Sequence, residues 1–190
     1  MKKILIASVM MMAFGSSAWA ARGGGDSGIY LGLGLNYSTA KVDVTVAGGT
    51  PTEGKSSQTN TDLGLGYIFS SGLYLGVAMD SMSGESGGDK PKSSAMGLSL
   101  GYMGRGFLFH AHYFLSGSYD ANDTTKWSSG SGIGVNLGYL FNVAGNFHLG
   151  GGIAYRSLEF KKLKANDVDV DDSSAKVTTT EPRLLFAFVF

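Results

Sequence analysis

Cysteine is absent from the 190 residues, proline occurs only 3 times, and 15 basic residues meet 15 acidic ones. Without cysteine there is no disulfide framework, no thiol nucleophile and no lipid-modified cysteine behind an export signal. Lys2 and Lys3 account for two of the basic residues, so the rest of the chain is slightly acidic. That balance argues against a nucleic-acid partner, which needs a basic face. Beyond the first turns of sequence no segment offers the roughly 20 continuous apolar residues of a membrane helix. Yet 43% of the residues are hydrophobic, too many for a disordered chain. Glycine breaks the pattern of scarcity, with 30 residues. Abundant glycine beside scarce proline suits a closed antiparallel sheet, where glycine relieves crowding and proline interrupts the ladder.

The first residues read as a secretory signal peptide. Lys2 and Lys3 form a positive start, Ile4 to Phe14 an apolar run, and Ala18-Trp19-Ala20 a small-x-small cleavage site, so the mature chain begins near Ala21. The apolar run is too short to span a bilayer as a helix.

From Gly28 onward the period is two. Ile29, Leu31, Leu33, Leu35 and Tyr37 share one face of the first strand, with Tyr30, Gly32, Gly34 and Asn36 on the other. The pattern repeats through Leu63 to Phe69, Leu73 to Met79, Met96 to Tyr102, Phe107 to Leu115 and Ile133 to Phe141. Tight turns at Ser70-Ser71-Gly72, Met103 to Gly106 and Ala144-Gly145 alternate with longer polar loops, giving four hairpins and eight strands. An apolar outer row facing a glycine-rich and polar inner row suits a strand with lipid on one side and a lumen on the other. Closure follows because an open sheet edge in hydrocarbon leaves backbone groups unpaired. The expected fold is therefore all-β, an eight-stranded antiparallel up-and-down transmembrane β-barrel. Its aromatic belts are Tyr67, Phe69, Tyr102, Phe107, Tyr139, Phe141, Phe147 and Phe190 at the short-turn end, and Tyr37, Tyr113, Trp127 and Tyr155 at the other.

The closing stretch, Glu181 to Phe190, carries Leu184, Phe186, Phe188 and Phe190 on one parity. Together with the signal peptide and the eight alternating strands, it resembles the small outer-membrane barrels of Gram-negative bacteria, the OmpA transmembrane domain, OmpX and OmpW types. The resemblance lies in pattern and covers the whole mature chain. It implies residence in the outer membrane among its lipids and lipopolysaccharide, and reading of Phe186, Phe188 and Phe190 by the barrel-assembly machinery. The domains become a signal peptide over 1–20, a short periplasmic segment over 21–27 and the barrel over 28–190.

An eight-stranded lumen holds side chains or one small ligand. The inward parity places Tyr30, Ile68, Tyr74, Leu108, Leu140, Leu185 and Val189 as an apolar group near the short turns, and Asp62, Asp80, Arg156, Glu181 and Arg183 higher up. Asp62 and Asp80 fall at nearly equal height on neighbouring strands, and two adjacent carboxylates repel. A cation beside them is expected, and Arg156 and Arg183 supply an ion-pair belt. Inward glycines either make room for large side chains opposite or leave a narrow wet path.

Catalysis needs a base beside a nucleophile or an oriented water. The candidates are His110, His112 and His148. His110 and His112 share a face about 7 Å apart, which makes them potential metal ligands with Asp80, or ordinary hydrogen-bonded lumen residues. No catalytic residue and no cofactor is assigned. On the outside Lys41, Lys126, Lys161, Lys162 and Lys164 form a basic band for lipopolysaccharide phosphates. The alternating Asp167, Asp169 and Asp171 suggest a weak calcium site, without the glycine and distal Glu of an EF-hand. The expected role is structural, supporting the membrane and surface contacts, with the lumen largely plugged by the ion-pair belt and the apolar group near the short turns; a narrow passive channel is the alternative. No surface loop specifies a protein ligand.

Overall fold

The computed structural model describes residues 27–190 apart from 47–49, 51, 86–87, 123, 167 and 171. The signal peptide and nearly all of the segment after it lie outside the described residues, as do Asp167 and Asp171. The elements are β1 (Gly28–Thr45), β2 (Thr52–Ile68), β3 (Leu73–Glu85), β4 (Lys92–Gly104), β5 (Phe107–Asp120), β6 (Thr125–Ala144), β7 (Phe147–Ala165), β8 (Val168–Val170) and β9 (Ser174–Val189). Each long strand pairs antiparallel with the next, and β9 returns to β1, closing a ring of eight. The three-residue β8 folds back on the end of β7, with Val170 opposite Leu163.

Alternation sets which side chain meets which medium. On β4 Leu98 is 56% exposed on the outer wall while its neighbour Ser99 is 1% exposed inside. Leu63, Leu75, Leu100, Ile153 and Leu184 stand on the same outer surface. A continuous apolar wall of this kind requires an apolar surrounding. The strands run past the roughly 10 residues needed to cross a bilayer at a tilt, reaching 20 in β6 and 19 in β7.

At the short-turn end Arg105 and Gly106 both have positive φ, 52° and 85°. Two such residues in succession make the two-residue hairpin whose twist matches the strands. Adjacent turns are joined through the backbone: Met103 N–H donates to Gly72 O at 2.8 Å and Leu140 N–H to Gly106 O at 2.6 Å.

Higher up, simple alternation fails in three strands. On β5 Leu115 is an extra residue against β4, since Met96 faces Ser116 while Gly97 faces Phe114. On β6 Ser129 adopts φ 54°, and on β7 Lys161 and Lys162 are both exposed. These irregularities exchange the faces, so Tyr119, Trp127 and Leu163 turn inward. Trp127, expected in the outer aromatic belt, is 2% exposed inside the barrel. A period-two reading has no means of anticipating a bulge.

Candidate functional site in the barrel lumen

Asp62 on β2 and Asp80 on β3 are direct cross-strand partners. Arg156 from β7 reaches Asp80 with both terminal nitrogens, Nη1 to Oδ1 and Nη2 to Oδ2, each at 2.9 Å. Its Nη2 also donates to Glu181 Oε1 at 3.1 Å. Arg183 from β9 pairs with Asp62 through Nη1 and lies 3.7 Å from Glu181 Oε1 through Nη2. The five charged residues expected to form a belt therefore do come together. Planar guanidinium forks suit such bidentate contacts.

Glu181, fully buried, is the hub. Its second oxygen accepts from Asn60 Nδ2 at 2.6 Å and from Ser38 Oγ at 2.7 Å. Neither Asn60 nor Ser38 was singled out from sequence, although both lie on the inward parity of their strands. The two bonds fall at a particular place. The β1–β9 ladder pairs Tyr30–Leu35 with Val189–Leu184, then resumes at Lys41 opposite Thr178 in the same register, with no paired residues between. Pro182, which has no N–H to donate, lies in that interval. Ser38 and Glu181 thus bridge by side chain the stretch of the closing seam that the backbone leaves open.

Two apolar clusters flank the belt. Toward the short turns Tyr30, Ile68, Tyr74, Leu108, Leu140 and Leu185 pack together, as the inward parity indicates. On the other side Met82, Phe114, Trp127, Leu158 and Phe160 form a second cluster that the sequence reading lacked. Glycines receive the bulk of these side chains. A Cβ on Gly34 would meet Asp62 Oδ1 at 2.6 Å, and one on Gly130 would meet the Phe160 ring at 2.5 Å. The space left at belt level is a cavity of about 30 Å³ lined by Asp62, Asp80, His110, His112, Asn136 and Arg156. An open bowl of about 210 Å³ lies at the long-loop end between Val42, Lys55, Pro91 and Tyr119.

The histidines pack as lumen residues. His110 stacks on Tyr74 with ring centroids 4.2 Å apart, and Asn136 Nδ2 donates to His112 Nε2 at 2.9 Å. Asp80, their possible co-ligand, is held on both oxygens by Arg156. Among the described residues no group of three ligating side chains comes together. Asp169 lies in β8 opposite Lys164.

On the outer wall, Phe188 packs against Phe147 with centroids 5.0 Å apart and lies 6.2 Å from Phe190. Phe186 sits on the same face of β9. Phe190 exchanges both backbone hydrogen bonds with Ile29 at 2.9 Å, fixing the last residue to the first strand. The five lysines do not form one band. Lys41 is held by Glu53 at 3.1 Å and Asp43 at 3.4 Å, and the Glu53 hydrogen bond keeps its ammonium above the ordinary lysine range. Lys161 lies 3.9 Å from Glu159. Lys126 and Lys164, by contrast, are direct cross-strand partners, with Lys162 opposite Ser128 beside them.

No protein-family model and no curated protein sequence matches the chain. Solved structures do. Neisserial surface protein A is similar over 86% of this chain and 98% of its own, at 18% identity and a TM-score of 0.51. The chain has the small outer-membrane barrel fold. The outer membrane protein OprG from Pseudomonas aeruginosa is also similar, at 11% identity and a TM-score of 0.48, over 88% of this chain and 99% of its own. So is the outer membrane protease OmpT from Escherichia coli, at 12% identity and a TM-score of 0.41, over 92% of this chain and 100% of its own.

Proposed function

We propose that the chain is an exported outer-membrane barrel with a closed lumen, whose work is done by its outer wall and loops in a structural and surface-interaction role. One observation carries this reading: the buried belt of Asp62, Asp80, Arg156, Glu181 and Arg183 lies between two packed apolar clusters. The cavity of about 30 Å³ beside it holds a water or two. Residues 1–20 direct export, the long loops face outward, and Phe186, Phe188 and Phe190 present the closing strand to the assembly machinery. Arg156 engages Asp80 and Asn136 engages His112, which supports packing rather than acid–base roles for these two side chains.

A narrow passive channel is the second reading. It is favoured by buried polar atoms with no hydrogen-bond partner along one wall, the side-chain amides of Asn36 and Gln58 and Oδ1 of Asn60. Such atoms ask for water. Single-channel recording of the refolded mature chain in a planar bilayer decides between the two. Silence, with folding shown by heat-modifiable gel mobility, is the expected result. Discrete steps that change in Asp80→Ala or Arg183→Ala establish the channel instead.

A further inference from the structure

The outer wall changes chemistry at one level. On β3 the exposed row passes from Met79 to Ser81, on β4 from Met96 to Ser94, and on β2 from Leu63 to Thr61. In register, Thr61 faces Ser81, Ser81 faces Ser94, and Ser94 faces Ser118, so one row of hydroxyls crosses four strands. Ser94 Oγ and Ser118 Oγ are 3.1 Å apart. The collar continues on β6 at Ser128 and Ser131 and on β7 at Ser157, which faces Thr178 of β9. Short hydroxyl side chains keep this row low in relief, and each is both donor and acceptor; Glu159, opposite Ser131, adds a carboxylate between Lys161 and Lys176.

Lys126, Lys162 and Lys164 stand over the β6–β7 sector of the collar. All three are exposed, and none has an ion-pair partner among the described residues. Asp120 and Asp169 are the direct cross-strand neighbours of Lys126 and Lys164 on their outer sides, with no ion pair formed to either. Directly opposed like charges destabilise a sheet, and a multiply charged anion between them reverses the sign. Lys41 on β1, separated from this sector by β9, is already engaged by Glu53 and Asp43.

We propose that the β6–β7 sector seats a phosphorylated glycolipid headgroup of the outer leaflet, its sugar hydroxyls on the serine collar and its phosphate between Lys126, Lys162 and Lys164. The inference rests on the outer-membrane reading and restricts lipid phosphate binding to one side of the barrel. Lys41 has no part in it.

The test measures affinity of the refolded barrel in zwitterionic micelles for rough lipopolysaccharide, with folding and bilayer silence checked on the same sample. Each exposed lysine at an anionic surface contributes about fivefold, so K126Q/K164Q should bind about 25-fold more weakly while K41Q stays within twofold. Enzymatically dephosphorylated lipopolysaccharide should lose as much, and phosphatidylglycerol should not compete at equal concentration. Equal losses in K41Q and K126Q/K164Q, or no loss in either, overturn the proposal. So does displacement by inorganic phosphate or phosphatidylglycerol, which would mean a general anion surface. A sample that conducts yet shows the expected lysine pattern refutes the closed lumen and leaves the headgroup site standing.

Discussion

Arg156→Ala is the sharpest perturbation of the belt. Arg156 is 5% exposed and its two partners, Asp80 and Glu181, are 4% and 0% exposed. Three carboxylates share two guanidiniums in the native lumen. Removing Arg156 leaves three carboxylates around Arg183 alone, with Asp80 stripped of both its hydrogen bonds. Breaking a buried pair in this one-sided way costs about 3–5 kcal/mol, because an uncompensated charge stays behind. Glu181→Gln acts in the opposite sense: two carboxylates then match two guanidiniums, and the amide oxygen still accepts from Asn60 and Ser38, while the NH2 group faces Arg156 Nη2 as donor to donor. Its loss is that of one charged hydrogen bond, about 1.5–3 kcal/mol.

Equilibrium urea unfolding in lipid vesicles, followed by gel mobility of unheated samples, measures both. The expected order is Arg156→Ala well below Glu181→Gln. The combination Asp80→Asn, Arg156→Met, Glu181→Gln removes every orphaned charge and should recover most of the loss, since neutral isosteres replace buried pairs with little penalty. Arg156→Ala should also stay silent in a bilayer, because Phe160 and Trp127 above and Leu108 and Leu140 below are untouched. Native stability in Arg156→Ala together with discrete conductance refutes this account and makes the belt a gate.

Gly34→Ala should destabilise by about 1–3 kcal/mol by overpacking, because its Cβ would press on the Asp62 carboxylate and lift it from Arg183; the same urea titration measures it. Leu98→Arg should cost about 2–4 kcal/mol and Ser94→Arg about 0–1 kcal/mol, the depth dependence expected of a lipid-facing wall; equal costs place the apolar boundary elsewhere. Phe160→Ala should lose about 3–5 kcal/mol, since Phe160 is fully buried in the upper cluster. Glu181→Ala should raise amide hydrogen exchange selectively across Asn36–Ala40, where the seam has no backbone pairing.

The fold was legible because the outer rows alternate strictly through the bilayer: Leu31 to Tyr37, Leu63 to Tyr67 and Met96 to Tyr102 stand where period two places them. The belt was legible for a related reason, since two carboxylates equidistant from the turn at Ser71 must be level and must have cations nearby. Above that level the same reasoning failed at Trp127. Three irregularities, at Leu115, Ser129 and Lys161, exchange inside for outside, and no residue there carries the usual glycine signature of a bulge. The upper cluster was lost with them. The single lysine band also dissolved, because sequence spacing gives height on a strand but not the identity of the neighbour. Lys41 meets Glu53 across a hairpin, while Lys126 meets Lys164.

The position of the belt along the ring also bears on what it is for. Its members lie on β7, β9, β1, β2 and β3, five consecutive strands that span the seam where the last strand meets the first. Every other seam joins strands that were neighbours in sequence, within reach of a hairpin. The β1–β9 seam alone must be closed by segments more than a hundred residues apart, and its ladder is interrupted at the level of the belt. A selectivity filter has no reason to favour the seam, although one pair, Arg156 of β7 with Asp80 of β3, does cross the lumen. A device that fixes closure and register has every reason to be there. Glu181, bound at once to Ser38 of β1, Asn60 of β2 and Arg156 of β7, can satisfy its partners in only one register of β9. A slip by one residue would turn its carboxylate into the lipid and bring Pro182 inside.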